Sequence, residues 1–553
     1  MFTQSPHTKY LFFWTVFSVG LCAVVYSLWP QPRVSVPRTY RSNWYHQPKI
    51  AALITAIDKE YADRWENEGL SCADEVDTFR VIRRISLGLI GTIPSLEELR
   101  VLEKLPREQQ VNWWVSRLLE DRRCSDYLAE RFARIYVGVD DGPFIVFRRR
   151  RFVHWLSDQF YRNVGYDQII RQLLAGDGLW TDSPAVNFIT ATIDVETGKP
   201  DPIRLAGRTS RAFLGIRMDC LQCHDDFLGN VALGDAEHLQ GGVQSNFHEL
   251  AAFFAQVQNN IGGVRDTLHS PAYRYQYLGD DEATSVAAAV PYGGSLVVSN
   301  DSLRKQLVEW MTHRDNRPVA RTIVNRVWAI LCGKPLVQPI DHLPLYGPFP
   351  PGLELLVDDF VEHGYDLHRL IRVIVGTKVF RLDSNANFEI TSKHRRLWAV
   401  FPTSSLRPEQ VAGSIIQSTS LQTIDASASI LLQLAKFGQE QQFVERFGDW
   451  GEDELSAPPC STVTQQLLMM NGEMIQDRLT QGFNAPQQAA RLSPDETTIV
   501  TNAFLATLTR PPTEQERMHF CQQLSGLRGE ERIAAIEDLY WTLINGGEFS
   551  WNY

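Results

Sequence analysis

Apolar side chains recur at three- and four-residue spacing along most of this chain. That is the period of helices buried along one face. In "LHRLIRVIV", Leu367, Leu370, Ile371, Ile374 and Val375 make one stripe, with Asp366 before it as N-cap. Other start signals agree. Ser95-Leu96-Glu97-Glu98 reads as a capping box, with Ile93 close to the staple position. Ser493-Pro494-Asp495-Glu496 reads as Ser at N-cap, Pro at N1 and Glu at N3. Thr513-Glu514-Gln515-Glu516 repeats the box after Pro511-Pro512. "GYDQIIRQLL" from Gly165 and "GYDLHRLIRVIV" from Gly364 echo each other. They read either as a duplicated module or as two independent N-capped helices.

Two stretches break the helical period. Residues 261–300 scatter Gly and Pro among short strand-like runs such as "SLVVS", and predict an irregular, partly β linker. Tyr10 to Trp29, "YLFFWTVFSVGLCAVVYSLW", is twenty residues without a charge. About twenty helical residues cross a bilayer core of ~30 Å. Trp14, Tyr26 and Trp29 suit its interfaces. No small-x-small pattern ends the run, so it reads as an uncleaved anchor. The expected fold is mainly α: an N-terminal transmembrane helix, then two predominantly helical domains joined by the irregular, partly β segment. The boundaries are a tail over 1–9, the anchor over 10–29, a proline-bearing tether over 30–49, a first helical domain over 50–260, the linker over 261–300 and a second helical domain over 301–553.

Charge narrows the partners. A net charge of −11 argues against nucleic acid, which favours a basic face. Lys9 precedes the apolar run, while Arg33, Arg38, Arg41 and Lys49 follow it. The positive-inside rule alone then leaves the large domain in the cytoplasm, although long domains cross regardless of such charges.

The candidate chemistry lies in "MDCLQCHDD", where Cys220, Cys223 and His224 stand as Cys-x-x-Cys-His. In c-type haem attachment, two thiols add to the haem vinyl groups and the histidine ligates iron. With eight Cys and thirteen His, chance gives this pattern in roughly 0.3% of such chains. Three readings stay open: a covalent haem c, a disulfide or structural thiol site, and another metal. Zinc needs a fourth ligand, and the sequence has no second Cys-x-x-Cys. For a distal haem ligand, Met218 lies too close to Cys220, His238 sits in a loop, and His248 opens the amphipathic "HELAAFFAQV". His248 is the weak distal candidate, and a five-coordinate haem is the alternative. Met469, Met470 and Met474 read as core. "RAFLGIRM" and "LAAFFAQV" bracket the motif and suit either a haem pocket or helix packing. Haem attachment normally happens outside the cytoplasmic membrane, which favours export. The expectation is a single-pass protein of the cytoplasmic membrane with its large domain on the periplasmic side.

Other groups carry less. Arg148 to Arg151 form a run suited to an anionic ligand or to a solvated face. Arg326, after Asn325, suits a structural carboxylate clamp. Asp341-His342 looks like an acid–base pair; His363 and His368 are off the spacing that aligns two helix ligands. No serine elbow, phosphate loop or His-Glu-x-x-His motif occurs, so no hydrolase is indicated.

Several blocks together resemble a known family. They are "RRISLGLIGTIPSLEEL", "GYDQIIRQLLAGD", "RAFLGIRMDCLQCHDD" and "ELAAFFAQV", then "NRPVARTIVNRVWAILCGKPLV", "GYDLHRLIRVIVGTKVFRLDS", "SLRPEQVAGSI", "LLMMNGEMIQDRL" and "LINGGEF". The chain resembles the planctomycete-type tandem of a cytochrome C-like domain followed by a planctomycete-specific domain of unknown function. The resemblance implies a large exported or membrane-associated protein named for its Cys-x-x-Cys-His. The family's usual continuation resembles Cys-His-Asp-His, whereas this chain has Cys223-His224-Asp225-Asp226. The leading expectation is an envelope protein that binds haem or transfers electrons to a redox partner. The competing one is a non-enzymatic scaffold, binding a polysaccharide or protein, with a structural cysteine pair.

Overall fold

The computed structural model describes residues 14, 18, 48–139, 147–194, 196–267, 272–277, 280–300, 302–425, 430–448, 462–480, 484–492 and 495–553. Residues 41–553 form one unit, mainly of helices. The Thr78–Ile90 helix is its centre: every residue from Val81 to Ile90 is buried. It packs on the Arg107–Leu119, Arg122–Val137 and Arg317–Cys332 helices. The main core draws on residues from Ile50 to Phe401, together with Leu505. A second cluster joins Leu87 and Ile93 to the Pro408–Ser418, Glu496–Leu508 and Gly529–Asn545 helices.

Two arginines on the central helix tie distant chain to it. Arg84 is fully buried; it donates to the carbonyls of Phe380, Leu382 and Tyr553, each at 2.8 Å. Its guanidinium lies 3.6 Å from the centroid of the Phe401 ring. Burial pulls its pKa down to about 9. Arg83 donates to the Phe549 carbonyl at 2.9 Å and the Thr507 carbonyl at 3.3 Å. A buried guanidinium needs such acceptors, because an unpaired one is strongly destabilising.

Most start signals hold. Ser95 and Glu98 bond reciprocally, at 3.0 and 3.1 Å. Thr513 and Glu516 do the same, and Asp366 accepts from the Arg369 N–H at 2.9 Å. One start moves. The Glu496–Leu508 helix is capped by Asp495, whose carboxylate takes both the backbone N–H and the hydroxyl of Thr498. Ser493 and Pro494, expected at the cap, lie outside the described residues.

The 261–300 segment is partly β, as expected, but not at "SLVVS". Hairpins pair Val257–Asn260 with Gly263–Asp266 and Arg274–Tyr275 with Thr284–Ser285. Gly294–Leu296 is a 3₁₀ turn, and Val297 to Ser299 find no ladder partner. An apolar run without a facing strand has no ladder to join, so it does not become sheet.

The expected N-terminal transmembrane helix is corrected, and with it the single-pass placement in the cytoplasmic membrane with a periplasmic large domain. Among the described residues, no helix is long and apolar enough to cross a membrane. Even the twenty-residue Pro48–Asn67 helix carries Asp58, Lys59, Glu60, Asp63 and Arg64, and it buries only one side. The Tyr10–Trp29 run lies outside the described residues except at Trp14 and Ser18.

Candidate functional site

The chain reaches the cysteines through the Pro202–Thr209 helix, one π-helical turn over Ser210–Leu214, and Gly215. Gly215 has φ of 63°, and a Cβ there would lie 2.7 Å from Thr322 Oγ1. Only glycine makes this turn against the neighbouring helix without strain. That neighbour is the Arg317–Cys332 helix, and it grips the turn. Arg326 is 1% exposed; it donates to the carbonyls of Ala212 and of Arg211, the latter at 2.6 Å, and to Asp341 at 2.5 Å. The Leu343 N–H donates to the Gly215 carbonyl at 2.9 Å. Arg326 is therefore the structural clamp its sequence context suggested, and Asp341 is its carboxylate.

Cys220 lies in the 3₁₀ turn Asp219–Gln222, and Cys223 closes it. Met218 and Leu221 point inward and are fully buried. Cys220, Cys223 and His224 are exposed, and both thiols are free. The inward and outward residues share one short turn, so anchoring and exposure come from the same five residues.

His224 Nδ1 lies 2.7 Å from the Asp225 carbonyl oxygen. A carbonyl only accepts, so Nδ1 is the donor, and the neutral ring then keeps its lone pair on Nε2. The ring stacks on Phe227 with centroids 6.2 Å apart. Asp226 closes the following loop. Its oxygens accept from the N–H groups of Leu228 at 3.1 Å and Val231 at 2.5 Å. Asp225 accepts from Gln244 N at 2.8 Å, at the start of the Gln244–Ala252 helix.

His248 is brought to the turn from its inner side. It is fully buried, and its pKa is lowered by that burial. Nε2 donates to the Gln222 carbonyl, and Nδ1 accepts from the Tyr273 hydroxyl. With both nitrogens engaged, His248 holds backbone and offers no axial lone pair. Met218 is core, and His238 sits exposed in a turn. Gln222, Gln244, Tyr273 and Tyr275 were not singled out in the sequence. Their signal was there: Gln244 and His248 are one helical turn apart, and Tyr273, Tyr275 and Tyr277 alternate as strand residues do.

The remaining candidates stay apart from the turn. Arg149 pairs with Glu130 at 2.7 and 3.1 Å, and Arg151 donates to the Thr181 carbonyl. Arg148 and Arg151 both lie over Trp180. His363 Nδ1 is 3.2 Å from Asp359, which Arg369 also holds. Met469 is core, whereas Met470 is 45% exposed. Among the described residues, no three His, Cys, Asp or Glu side chains gather as a metal cluster.

The donor set fits a c-type haem: two accessible thiols, and an imidazole whose Nε2 is open beside exposed Phe227 and Leu228. The flanking segments behave differently from a pocket. Phe213, Leu214, Phe253 and Phe254 are buried in the main core.

Residues 56–259 match the family model PSCyt2, described as a protein of unknown function (DUF1549). Residues 303–430 match PSD1, described as a protein of unknown function (DUF1553). No curated protein matches the chain, and no solved structure does.

Proposed function

Because the chain belongs to the planctomycete-type tandem family, a PSCyt2 domain followed by a PSD1 domain, we propose that its first domain binds a c-type haem and exchanges electrons with a redox partner protein. Cys220 and Cys223 are the attachment residues, and His224 is the axial ligand. One observation carries this reading: the Nδ1 bond to Asp225 leaves His224 Nε2 open beside two exposed free thiols. A hydrogen bond from the far nitrogen fixes both tautomer and ring orientation, which is how metal-binding histidines are usually prepared. Bound there, haem supplies one-electron chemistry. The protein holds the turn still: Met218 and Leu221 anchor it inward, and Arg326 grips the segment before it.

A second reading has its own observation. The apolar segments flanking the motif are used up in core packing, which favours a non-enzymatic scaffold whose cysteine pair is structural. Protein made in a host with haem-maturation machinery separates the two. Thioether-bound haem survives denaturation, gives a c-type pyridine haemochrome spectrum, and adds its mass to the Cys220–Cys223 peptide. The double variant Cys220→Ser/Cys223→Ser then loses it. Correctly matured protein without covalent haem, and with a peptide two hydrogens lighter than the dithiol, sinks the haem reading and supports the scaffold.

A further inference from the structure

Beside the exposed thiols the chain presents two large apolar side chains next to Asp225 and Asp226, and the hairpin that follows carries Asp235 and Glu237 at its tip. Phe227 and Leu228 are 83% and 84% exposed, and Leu239 and Val243 are also exposed. Scattered exposed apolar residues are ordinary, but an adjacent Phe–Leu pair at the tip of a tied loop is a presented surface. Asp226 ties that loop through two backbone bonds, so Phe227 and Leu228 lose little freedom when a partner covers them. Residues 219–244 carry five carboxylates and no lysine or arginine; Asp219 is paired with Arg211 at 3.5 Å and exposed Arg217 lies just before the window, which leaves Asp225, Asp226, Asp235 and Glu237 as its acidic face. Asp225, Asp226 and Asp235 bond to backbone N–H groups, which carry no formal charge and leave the negative charge in place.

We infer that this face docks a basic protein, whose apolar centre covers Phe227 and Leu228 and whose lysines or arginines meet Asp225, Asp235 and Glu237. Charge selects this occupant. A second copy of the chain brings the same acidic face and a net charge of −11, and an anionic lipid surface repels it equally. As the partner of a haem site, this protein rests on the reading above; as a binding surface, the face is measurable without haem.

The test is calorimetric titration of the full chain with a small lysine-rich c-type cytochrome as probe. The same probe with its lysines succinylated is the charge-reversed control. Binding of micromolar order to the basic form alone is expected, weakening as salt rises. Phe227→Ser/Leu228→Ser should lose about tenfold in affinity or more, since hot spots sit at the apolar centre. Asp235→Lys/Glu237→Lys should lose as much. Glu530→Lys/Glu531→Lys, at an exposed helix start elsewhere, should bind as the unaltered chain does. Circular dichroism checks that each variant is folded. The haem-free variant Cys220→Ser/Cys223→Ser should still bind, so loss of the haem reading leaves this result intact. No binding of the basic probe overturns the inference. So does an undiminished affinity in Phe227→Ser/Leu228→Ser, or an equal loss from the remote charge reversal.

Discussion

His248 donates from Nε2 to the carbonyl oxygen of Gln222 across 3.1 Å, so a fully buried side chain holds the peptide between Cys220 and Cys223. Gln244 Nε2 donates to the same oxygen at 3.0 Å, and the Tyr275 hydroxyl donates to it at 3.3 Å. Three donors on one carbonyl leave the cysteine turn few ways to move. The imidazole itself is pinned: Tyr273 donates to Nδ1 at 2.9 Å, and the Tyr275 ring covers one face with centroids 3.4 Å apart.

Removing that donor should loosen the turn specifically. His248→Phe keeps a ring in the stack but deprives Tyr273 and the Gln222 carbonyl of a partner. A lost buried hydrogen bond costs about 1–3 kcal/mol. Amide hydrogen exchange should quicken across 219–226 while the Arg317–Cys332 helix keeps its protection. Unchanged exchange at the turn would disconnect His248 from it.

The thiols should sort by burial. Cys220 and Cys223 are exposed, whereas Cys124 and Cys332 are buried and their thiols are pushed far up in pKa by desolvation. In haem-free native protein, a charged alkylating reagent should label Cys220 and Cys223 within the first minutes, read by peptide mass spectrometry. Cys124 and Cys332 should label only after unfolding. Protection of Cys220 and Cys223 that a reductant removes would point to a disulfide.

Arg326 links the two family regions, since it lies in the PSD1 match and holds the carbonyls of Ala212 and Arg211 in the PSCyt2 match. Arg326→Met leaves those carbonyls and Asp341 without their cation. Breaking a buried pair on one side costs about 3–5 kcal/mol. Arg326→Lys should recover little, because one ammonium cannot reproduce the planar fork. Arg326→Met/Asp341→Leu should recover part of the loss, because it removes the stranded charge. Urea midpoints measure all three; a single Arg326→Met midpoint close to that of the unaltered chain would refute the clamp.

Local signals were the readable part of this sequence. A capping box needs four consecutive residues, and Ser95–Glu98 and Thr513–Glu516 formed as written. The echoed "GYD" shows where such reading stops. Gly165 is the N-cap of the Tyr166–Ala175 helix. Gly364 instead lies two residues before the cap Asp366, at φ of 69°. The same three letters sit out of register, yet the segments touch: Tyr166 N–H donates to the Tyr365 carbonyl at 3.1 Å, and Asn163 Nδ2 to Asp366 at 2.8 Å. The cysteine motif was equally visible, whereas its holder was not. A backbone carbonyl has no letter of its own, and the donors on Gln222 come from a helix and a hairpin that only tertiary packing brings there.

Buried His248 and half-buried His368 should make the fold sensitive to mild acid. Burial and the nearby Arg372 pull His368 down to about 4, against opposing pulls from Asp366 and the Phe160 carbonyl. Burial lowers His248 as well. An unfolded histidine titrates near 6.5. Between about 6.5 and about 4 the unfolded chain therefore takes up protons that the folded chain refuses. Stability is full above the upper limit and falls as pH drops through the window, by up to about 3 kcal/mol for His368 alone. The carboxylate of Glu516 acts in the same direction, in a lower window. Arg510 holds it at about 2, and its contribution is lost only as pH falls from the usual carboxylate range toward that value. The two windows separate on a pH series of urea midpoints. His368→Gln should flatten the upper limb by up to one proton and leave the lower limb alone. A variant as acid-sensitive as the unaltered chain in the upper window would show that His368 already titrates normally in the fold.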